Sequence, residues 1–509
     1  MQSYDTNLDE KGLKGEGETL GRDLDLGQVL AVQATPAEER KVLWKLDLIL
    51  VPLMGVAYFL QFLDKLALSQ ATLFGLREDL NMHGAEYSWA SAIFYFGYFA
   101  WSWPSSYIVV RLPIGKYISV SVVDDETDNL SFLWGGALMC HAACSNWSGL
   151  MAARFFLGVG EAAIAPGFTL LTGMFYKREE QPLRQSAWFF GNFLAVLIGG
   201  LIAYGIGTIN TSAIAHWKLL FLILGAITST YGLVLFVMLP DSPAQAIFLK
   251  PDERVIAVQR TLTNKTGVMD TGVFKWSQAV QALKDPQTWL LVLNAFSSNL
   301  ANGGLTSFTS IITAGFGFTD LKALLMQMPQ GGAQIVFLLI TSITVTYIPS
   351  SRILGMCLIT IVSIIGLILI WRLDPDDQAG RMVGLTLAVV YAINFPMSLS
   401  IITSNVAGFT KKSVVSGLLF VAYCVGNIVG PQFFLASEEP SYPTGIKASM
   451  SGLILSVFFL LCLYSYYTWE NRRRDRLYGS PEQMSVGAEL QDELSNKTDR
   501  EIDSFRYLL

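Results

Sequence analysis

The chain has 509 residues, of which 52% are hydrophobic and 15% are charged, and its net charge is -6. Soluble domains carry nearer a quarter charged residues, so this composition argues against an ordinary soluble enzyme or a nucleic-acid-binding domain. The apolar residues fall in blocks of about twenty, the length that crosses a hydrocarbon core of about 30 Å as a helix. We therefore predict an all-α membrane protein with about twelve transmembrane helices.

The apolar blocks form two groups of six, separated by the polar residues 240–285. This layout predicts two six-helix bundles, residues 44–239 and 286–468, with a cavity between them. Residues 1–43 and 469–509 are polar and charged, and we expect both tails to be disordered. In chain order the blocks lie near residues 46–66, 88–109, 131–144, 150–172, 184–207, 218–239, 287–313, 324–347, 353–371, 382–403, 413–436 and 449–468.

The third block is too short to span a membrane, and an acidic segment precedes it. Residues 117–123 are also apolar, but Asp124–Asn129 lies between the two pieces and cannot sit in hydrocarbon at reasonable cost. Without that segment the pieces would make one ordinary span. The segment is either a real insertion or an artefact of the gene model, such as a translated intron.

Lys and Arg in the loops indicate the orientation of the chain. If both termini are cytoplasmic, the central residues 240–285, Lys411 with Lys412, and the arginines after residue 471 all lie inside. The loops on the other side then carry fewer basic residues, as the positive-inside rule requires. We therefore predict cytoplasmic termini and a cytoplasmic central segment.

The fourth block contains two opposite charges, Arg154 and Glu161. Charges inside a span cost about 2.5–3.5 kcal/mol each, so they usually mark functional sites. Seven residues make almost two helical turns, which places both on one face, about 10 Å apart along the axis. Each therefore needs another partner or a substrate between them. The alternative is that neighbouring helices fix both charges and that neither contributes to transport.

The first block ends with a second pair of charges, Asp64 and Lys65. Apolar residues continue to Phe74, which indicates that the pair lies within the membrane. Adjacent residues on a helix point about 100° apart, so one is expected to face the cavity and the other a neighbouring helix. The alternative is an ordinary helix end at the outer surface.

Polar side chains recur in the spans of the second half, among them Asn299 and Asn427. Their amides can hydrogen-bond a polar substrate, or they can hold helices together. The chain has only three histidines, none at metal-ligand spacing, and it has no P-loop. We therefore predict no metal, no cofactor and no ATP-driven transport, and we expect no enzymatic activity.

Several short motifs follow one another in an order that is more specific than any one of them. In the first half they are residues 63–65 (LDK), 111–116 (RLPIGK), 154–161 (RFFLGVGE), 217–218 (WK) and 239–243 (LPDSP). In the second half they are residues 302–308 (NGGLTSF), 315–318 (GFGF), 328–331 (MPQG), 405–412 (NVAGFTKK) and 426–432 (GNIVGPQ). With these motifs the sequence resembles the major facilitator superfamily, and within it the fungal anion:cation symporters of the allantoate permease type.

The resemblance, over about residues 40–475, implies a rocker-switch fold that takes up small organic anions together with protons. It implies that the charged pairs serve substrate binding and proton coupling, and we assign substrate binding to Lys65 and Arg154 and proton coupling to Asp64 and Glu161. From their amides we also predict that Asn299 and Asn427 bind the substrate. The resemblance also implies a monomer in the plasma membrane. Two departures are the acidic segment before the third span and the loop of residues 347–352, which lacks the acidic residue often found there.

The substrate remains open at this point. Allantoate, ureidosuccinate, a short peptide and a vitamin carboxylate all fit a small carboxylate site. An exporter of a secondary metabolite could use the same fold and proton site in the other direction. A membrane sensor that binds a ligand without moving it is a third possibility, which the acidic segment would favour if it locked the bundle.

Overall fold

The computed structural model describes residues 34–111, 115–116, 133–177, 180–210, 213–262, 274–348, 350–479 and 497–509. These residues form helices joined by short turns, and none of them lies in a β-strand. The first bundle contains α1 (Pro36–Thr72), α2 (Glu86–Arg111), α3 (Leu133–Cys140), α4 (Trp147–Glu161), α5 (Ile164–Phe175), α6 (Gln181–Gly207) and α7 (His216–Met238). Helices α8 (Pro251–Leu262) and α9 (Trp276–Lys284) follow in the central segment. The second bundle contains α10 (Pro286–Ala314), α11 (Met328–Tyr347), α12 (Arg352–Arg372), α13 (Gln378–Ala388), α14 (Asn394–Asn405), α15 (Phe409–Val429) and α16 (Pro443–Tyr478).

Nine helical segments within these described ranges have the length and hydropathy of a membrane span. Three of them combine consecutive helices: α4 with α5, the short helix Asp320–Leu325 with α11, and α13 with α14. Helices α2 and α10 also have the length to cross, at 26 and 29 residues. Asn, Ser and Thr side chains lower the hydropathy of α10, and most of that helix is buried between its neighbours. The predicted fold class, an all-α membrane protein of two six-helix bundles, is confirmed.

Helix α1 begins earlier than the sequence indicated. Thr35 caps it: the backbone N–H of Glu38 donates to the Thr35 hydroxyl, and the Glu38 carboxylate accepts from the Thr35 N–H. This reciprocal pair is a capping box, which satisfies two of the free N–H groups at a helix start. Residues 36–43 are therefore helical, and the expectation of a disordered tail up to residue 43 is wrong for them.

Glycine permits the close approach of α2 and α4. A Cβ at Gly158 would lie 2.0 Å from the carbonyl oxygen of Phe94, and one at Gly97 would lie 2.1 Å from that of Phe155. Real Cβ atoms do not approach backbone atoms so closely, so only glycine fits at either position. The tight crossing sets Phe94 beside the face of α4 that carries the predicted charges.

The most extensive contacts between the two bundles are those of three helix pairs: α1 with α10, α2 with α15, and α6 with α11. Helix α1 is the first helix of the first bundle and α10 is the first helix of the second, and the two hold corresponding positions. The first bundle packs α1 against α6, and the second packs α10 against α15. This repeated arrangement agrees with two related bundles that face each other across a shared interface.

The central segment divides between the bundles. Lys45 of α1 pairs with Glu253 of α8 at 2.7 Å, and Arg260 of α8 pairs with Glu180 at 2.8 Å. Helix α9 instead packs on α15 of the second bundle. These contacts lie at the end of the molecule that carries the start of α1 and the end of α16, which we call the tail end. The opposite end is called the far end.

The C-terminal residues 497–509 pack against the tail end of the second bundle. The ammonium of Lys411 lies 2.6 Å from Oδ2 of Asp285 and 2.7 Å from Oδ1 of Asp499, and all three side chains are fully buried. Arg474 donates to the backbone oxygen of Asp499, and the ring of Tyr507 stacks on Tyr467. Helix α16 also continues to Tyr478. The expectation of a disordered tail is therefore wrong for 469–478 and 497–509.

The third apolar block is described from residue 133 onward, as α3 and a 3-10 turn at His141–Ala143. The acidic segment Asp124–Asn129 lies outside the described residues, as do residues 112–114 of the loop motif. Lys116, at the end of that loop motif, contacts the motif at residues 239–243. Its backbone N–H donates to Oδ1 of Asp241 at 2.9 Å.

Candidate functional site

The four predicted charges come together inside the first bundle. Asp64 and Glu161 are 0% exposed and Arg154 is 3% exposed, while the Lys65 side chain keeps 12% of its exposure. Helix α1 runs on to Thr72, so Asp64 and Lys65 lie within the helix and not at its end. The geometry thus favours the reading of a buried charge cluster over that of an outer helix end.

Lys65 joins α1 to α4 through Glu161. Its ammonium lies 3.4 Å from Oε2 of Glu161. It also lies 5.3 Å from the ring centroid of Phe94, and the guanidinium carbon of Arg154 lies 5.2 Å from the same ring. A ring face attracts cations, so Phe94 holds both basic groups close to it.

Asp64 points in a different direction from Lys65, as their separation on a helix requires. The indole N–H of Trp134, on α3, donates to Oδ2 of Asp64 at 2.9 Å. Trp134 is itself 1% exposed. Asp64 therefore faces a neighbouring helix of its own bundle, and Lys65 faces Glu161 and α2.

Arg154 has no carboxylate partner among the described residues. Its Nε donates to the backbone oxygen of Ala90 at 3.3 Å, and its Nη1 is buried without a hydrogen bond. Oδ1 of Asp64 and both carboxylate oxygens of Glu161 also lack a hydrogen bond of ordinary geometry in the described structure. Leaving a buried polar group unsatisfied costs about 1–3 kcal/mol, and more for a charged group. The cluster therefore has unused capacity to bind an anion and a proton.

Asn299 and Asn427 lie in the second bundle, where they contact each other. Nδ2 of Asn427 donates to Oδ1 of Asn299 at 3.0 Å, and Oδ1 of Asn427 accepts from Nδ2 of Asn302 at 2.8 Å. Nδ2 of Asn299 donates to the backbone oxygen of Ala295. These bonds tie α10 to α15 and use much of the capacity of both amides. Their role as substrate contacts stays a prediction.

Polar contacts close the bundle interface at the far end. Nε2 of Gln70 donates to Oε1 of Gln327 at 2.9 Å, and Nε2 of Gln327 donates to the hydroxyl of Ser310 at 2.8 Å. Arg77 pairs with Glu439 at 2.7 Å. Gln70 and Arg77 belong to the first bundle. The second bundle contributes Ser310, Gln327 and Glu439. We call these five residues the far-end gate.

Sequence reasoning missed the far-end gate and Trp134. Gln70 and Gln327 follow ordinary apolar runs, and single glutamines in helices carry no positional signal. Trp134 stands just after the acidic segment, where the register of the third span was uncertain. In the part of the chain that the structure describes, no three His, Cys, Asp or Glu side chains are grouped as a metal site requires.

Comparison with known proteins identifies the family. The sequence profile of the Major Facilitator Superfamily matches residues 54–431. An uncharacterized transporter of Schizosaccharomyces pombe is 36% identical over 95% of this chain and 90% of its own. The allantoate permease of Saccharomyces cerevisiae is 35% identical over 94% of this chain and 88% of its own.

The solved structures agree on the fold. A D-xylose–proton symporter superposes with a TM-score of 0.58 at 13% identity, covering 81% of this chain and 96% of that one. At such low identity the likeness bears on the fold alone. With the profile match over most of the chain, and with relatives above 30% identity along nearly all of it, the chain belongs to the Major Facilitator Superfamily of multi-pass membrane transporters, in the family of the yeast allantoate permease.

Proposed function

We propose that this transporter is a proton-coupled symporter that takes up a small organic anion. Allantoate and related ureido acids are the first candidates, because the allantoate permease is a relative over almost the whole chain. In this proposal the protein lies in the plasma membrane with both termini in the cytoplasm. The far-end gate then faces outside, and the tail end faces the cytosol.

One observation carries the proposal: two basic and two acidic side chains are buried together in the first bundle with atoms left unpaired. Nη1 of Arg154 is free to donate to a carboxylate, and the oxygens of Glu161 are free to take a proton. Buried charges in a membrane protein are costly, and their usual role is in a substrate or ion pathway.

The contact between Lys65 and Glu161 gives a route for coupling. When Glu161 is charged, it holds the Lys65 ammonium at 3.4 Å. A proton on Glu161 removes that attraction and frees Lys65 to join Arg154 in binding the substrate anion. The proton and the anion therefore favour each other's binding, which is the condition for symport.

The test is uptake of labelled allantoate by a permease-deficient yeast that expresses this chain, at external pH 5 and pH 7 and with a protonophore. Unlabelled ureidosuccinate, a dipeptide and a vitamin carboxylate serve as competitors. We expect faster uptake at pH 5, loss of uptake with the protonophore, and competition by the true substrate. A chain without residues 124–129 tests whether the acidic segment belongs to the working protein.

Three results would contradict the proposal. Uptake that is indifferent to the protonophore would exclude proton coupling. Movement of the anion only outward, measured in sealed vesicles of both orientations, would favour an exporter. Saturable binding without flux in either direction would favour a sensor.

A further inference from the structure

We infer that the anion carried by this site has a flat conjugated group, such as an aromatic ring or a ureido group, close to its carboxylate. The inference rests on the proposed function and names the part of the substrate that Lys65 and Arg154 do not contact. The observation behind it is a group of seven rings between the two bundles, next to the charge cluster. We call it the ring cluster, and it consists of Tyr58, Tyr95, Tyr98, Phe189, Phe395, Phe420 and Tyr423.

Ring contacts within the ring cluster join the two bundles at three points. Tyr98 of α2 lies 5.2 Å from Phe420 of α15, measured between ring centroids. Tyr95 lies 6.0 Å from Tyr423 in an edge-on arrangement. Phe189 of α6 and Phe395 of α14 complete the set, stacked at 5.7 Å.

The ring cluster lies directly beside the basic groups that would hold a carboxylate. The Lys65 ammonium is 5.6 Å from the ring centroid of Tyr98, and Tyr98 in turn packs on Phe420. Tyr98 of the first bundle is therefore the ring of the cluster beside Lys65, and Phe420 of the second bundle lies directly behind it. The part of the substrate beyond its carboxylate must lie against ring faces and edges.

These contacts differ from those of a fixed core because they join two bodies that must separate. In a transporter that works by rocking, helices within a bundle stay packed while contacts between the bundles open and close. The second-bundle rings Phe395, Phe420 and Tyr423 are partly exposed, although they lie in the interior between the bundles. They are therefore not fully enclosed, and more of each ring would be uncovered when the bundles part.

Ring faces favour one class of anion over others. Offset stacking and edge contacts between π-systems add a preference of roughly two- to twelvefold per pair beyond the area buried. A saturated acid of the same size gains the burial but not this preference.

The experiment compares pairs of acids with the same carbon skeleton, of which one member has a planar aromatic ring and the other a saturated ring. Purified full-length protein in lipid nanodiscs is titrated with benzoate and cyclohexanecarboxylate, and with phenylacetate and cyclohexylacetate, by calorimetry. The same titrations use the variants Phe420→Leu, which removes a ring, and Tyr98→Phe, which keeps one. Phe458→Leu is the control, because Phe458 is 57% exposed on α16 and lies outside the ring cluster.

We expect each aromatic acid to bind about three- to tenfold more tightly than its saturated partner. The ratio should fall to near one in Phe420→Leu and remain in Tyr98→Phe and Phe458→Leu. Equal binding of both members of each pair by the unaltered protein would overturn the inference and leave the anion site standing. Binding of none of the four acids by a protein that still binds allantoate would overturn the inference, and loss of allantoate binding as well would overturn the anion site itself.

Discussion

The Lys65 ammonium and the Glu161 carboxylate meet at 3.4 Å across two helices of the first bundle, with Glu161 fully buried. The contact is long for a charge-assisted hydrogen bond, whose usual length is about 2.7–2.9 Å. It is therefore an electrostatic pair that can be released without breaking a strong directional bond. That property suits a pair whose two states must differ little in free energy.

The first prediction concerns Glu161→Gln. The amide keeps the shape of the side chain and cannot carry a proton, so uptake driven by a pH gradient should fall to background. Exchange of labelled for unlabelled anion across vesicles should continue, because it needs no net proton movement. Asp252→Asn, at an exposed carboxylate on α8, is the control and should behave as the unaltered protein. Gradient-driven uptake at normal rate by Glu161→Gln would exclude this residue as the proton carrier.

The second prediction concerns the stability of the same pair. Lys65→Met leaves Glu161 buried without its ion-pair partner, which we expect to cost about 3–5 kcal/mol. Adding Glu161→Gln removes the uncompensated charge and should restore most of the loss. Thermal unfolding of the two single variants and the double variant in detergent measures this coupling.

Lys45→Met provides the matched comparison for Lys65→Met, because it also removes the basic partner of a glutamate. Lys45 pairs with Glu253 at the tail end, where the two side chains keep 33% and 10% of their exposure. Such a partly exposed pair contributes about 0.2–1 kcal/mol. If Lys65→Met were no more harmful than Lys45→Met, the Lys65–Glu161 contact would not be an important buried ion pair.

The fold was predictable because each span must satisfy its own backbone in lipid. That requirement produces apolar blocks of fixed length, and the blocks are visible in one sequence. The positions of Asp64, Lys65, Arg154 and Glu161 were predictable for a related reason, since charges in a span are rare and costly. Helix geometry also predicted that Asp64 and Lys65 point in different directions, but not that their partners are Trp134 and Glu161.

The pairing of uncharged and loop residues could not be predicted. Nothing in the sequence indicates that Asn427 contacts Asn299, or that Gln70 contacts Gln327, because an amide in a helix has many possible partners. Lys411 was assigned to an ordinary basic loop. Its two carboxylate partners lie 126 and 88 residues away in the chain, a separation that no local pattern records.

The third prediction distinguishes the two parts of the far-end gate by their burial. Gln70 and Gln327 are 1% and 2% exposed, so Gln70→Ala leaves a buried amide unsatisfied and costs about 1–3 kcal/mol. The Arg77–Glu439 side chains keep 23% and 35% of their exposure, so Arg77→Ala should cost only about 0.2–1 kcal/mol. Gln70→Ala should therefore open the far end more.

Spin labels at the exposed positions Glu78 and Lys322 measure this opening, in a background in which the five native cysteines are replaced by serine. Glu78 lies in the short helix Leu76–Asp79 of the first bundle, and Lys322 lies in the short helix Asp320–Leu325 of the second bundle. We expect the long-distance population to rise about fivefold or more with Gln70→Ala, and by at most about fivefold with Arg77→Ala. A larger effect of Arg77→Ala would show that the exposed ion pair, and not the buried amides, controls the gate.

The last prediction concerns pH and the buried Lys411. Burial raises the pKa of Asp285, but the charges of Lys411 and Arg500 and the bond from Gln287 outweigh it, so the pKa lies below its ordinary value. A lowered pKa in the folded state adds stability above the unfolded pKa of about 3.9, and this stability is lost as the pH falls through the folded value. In Lys411→Met, fewer positive charges oppose the effect of burial, so the pKa of Asp285 should lie above its ordinary value. The free energy of unfolding should then decline as the pH rises above about 4.

The difference in melting temperature between the unaltered protein and Lys411→Met should therefore be small near pH 4 and widen towards pH 7. Thermal unfolding in detergent at several pH values measures it. Lys412→Met is the control, because the Lys412 ammonium donates to the exposed backbone oxygen of Thr403. Loss of that ammonium should change the melting temperature equally at all pH values. A difference between the proteins that narrows with rising pH would mean that Asp285 is not charged in the folded protein. The packing of the C-terminal residues around Lys411 would then involve a neutral Asp285 carboxyl group in place of an ion pair.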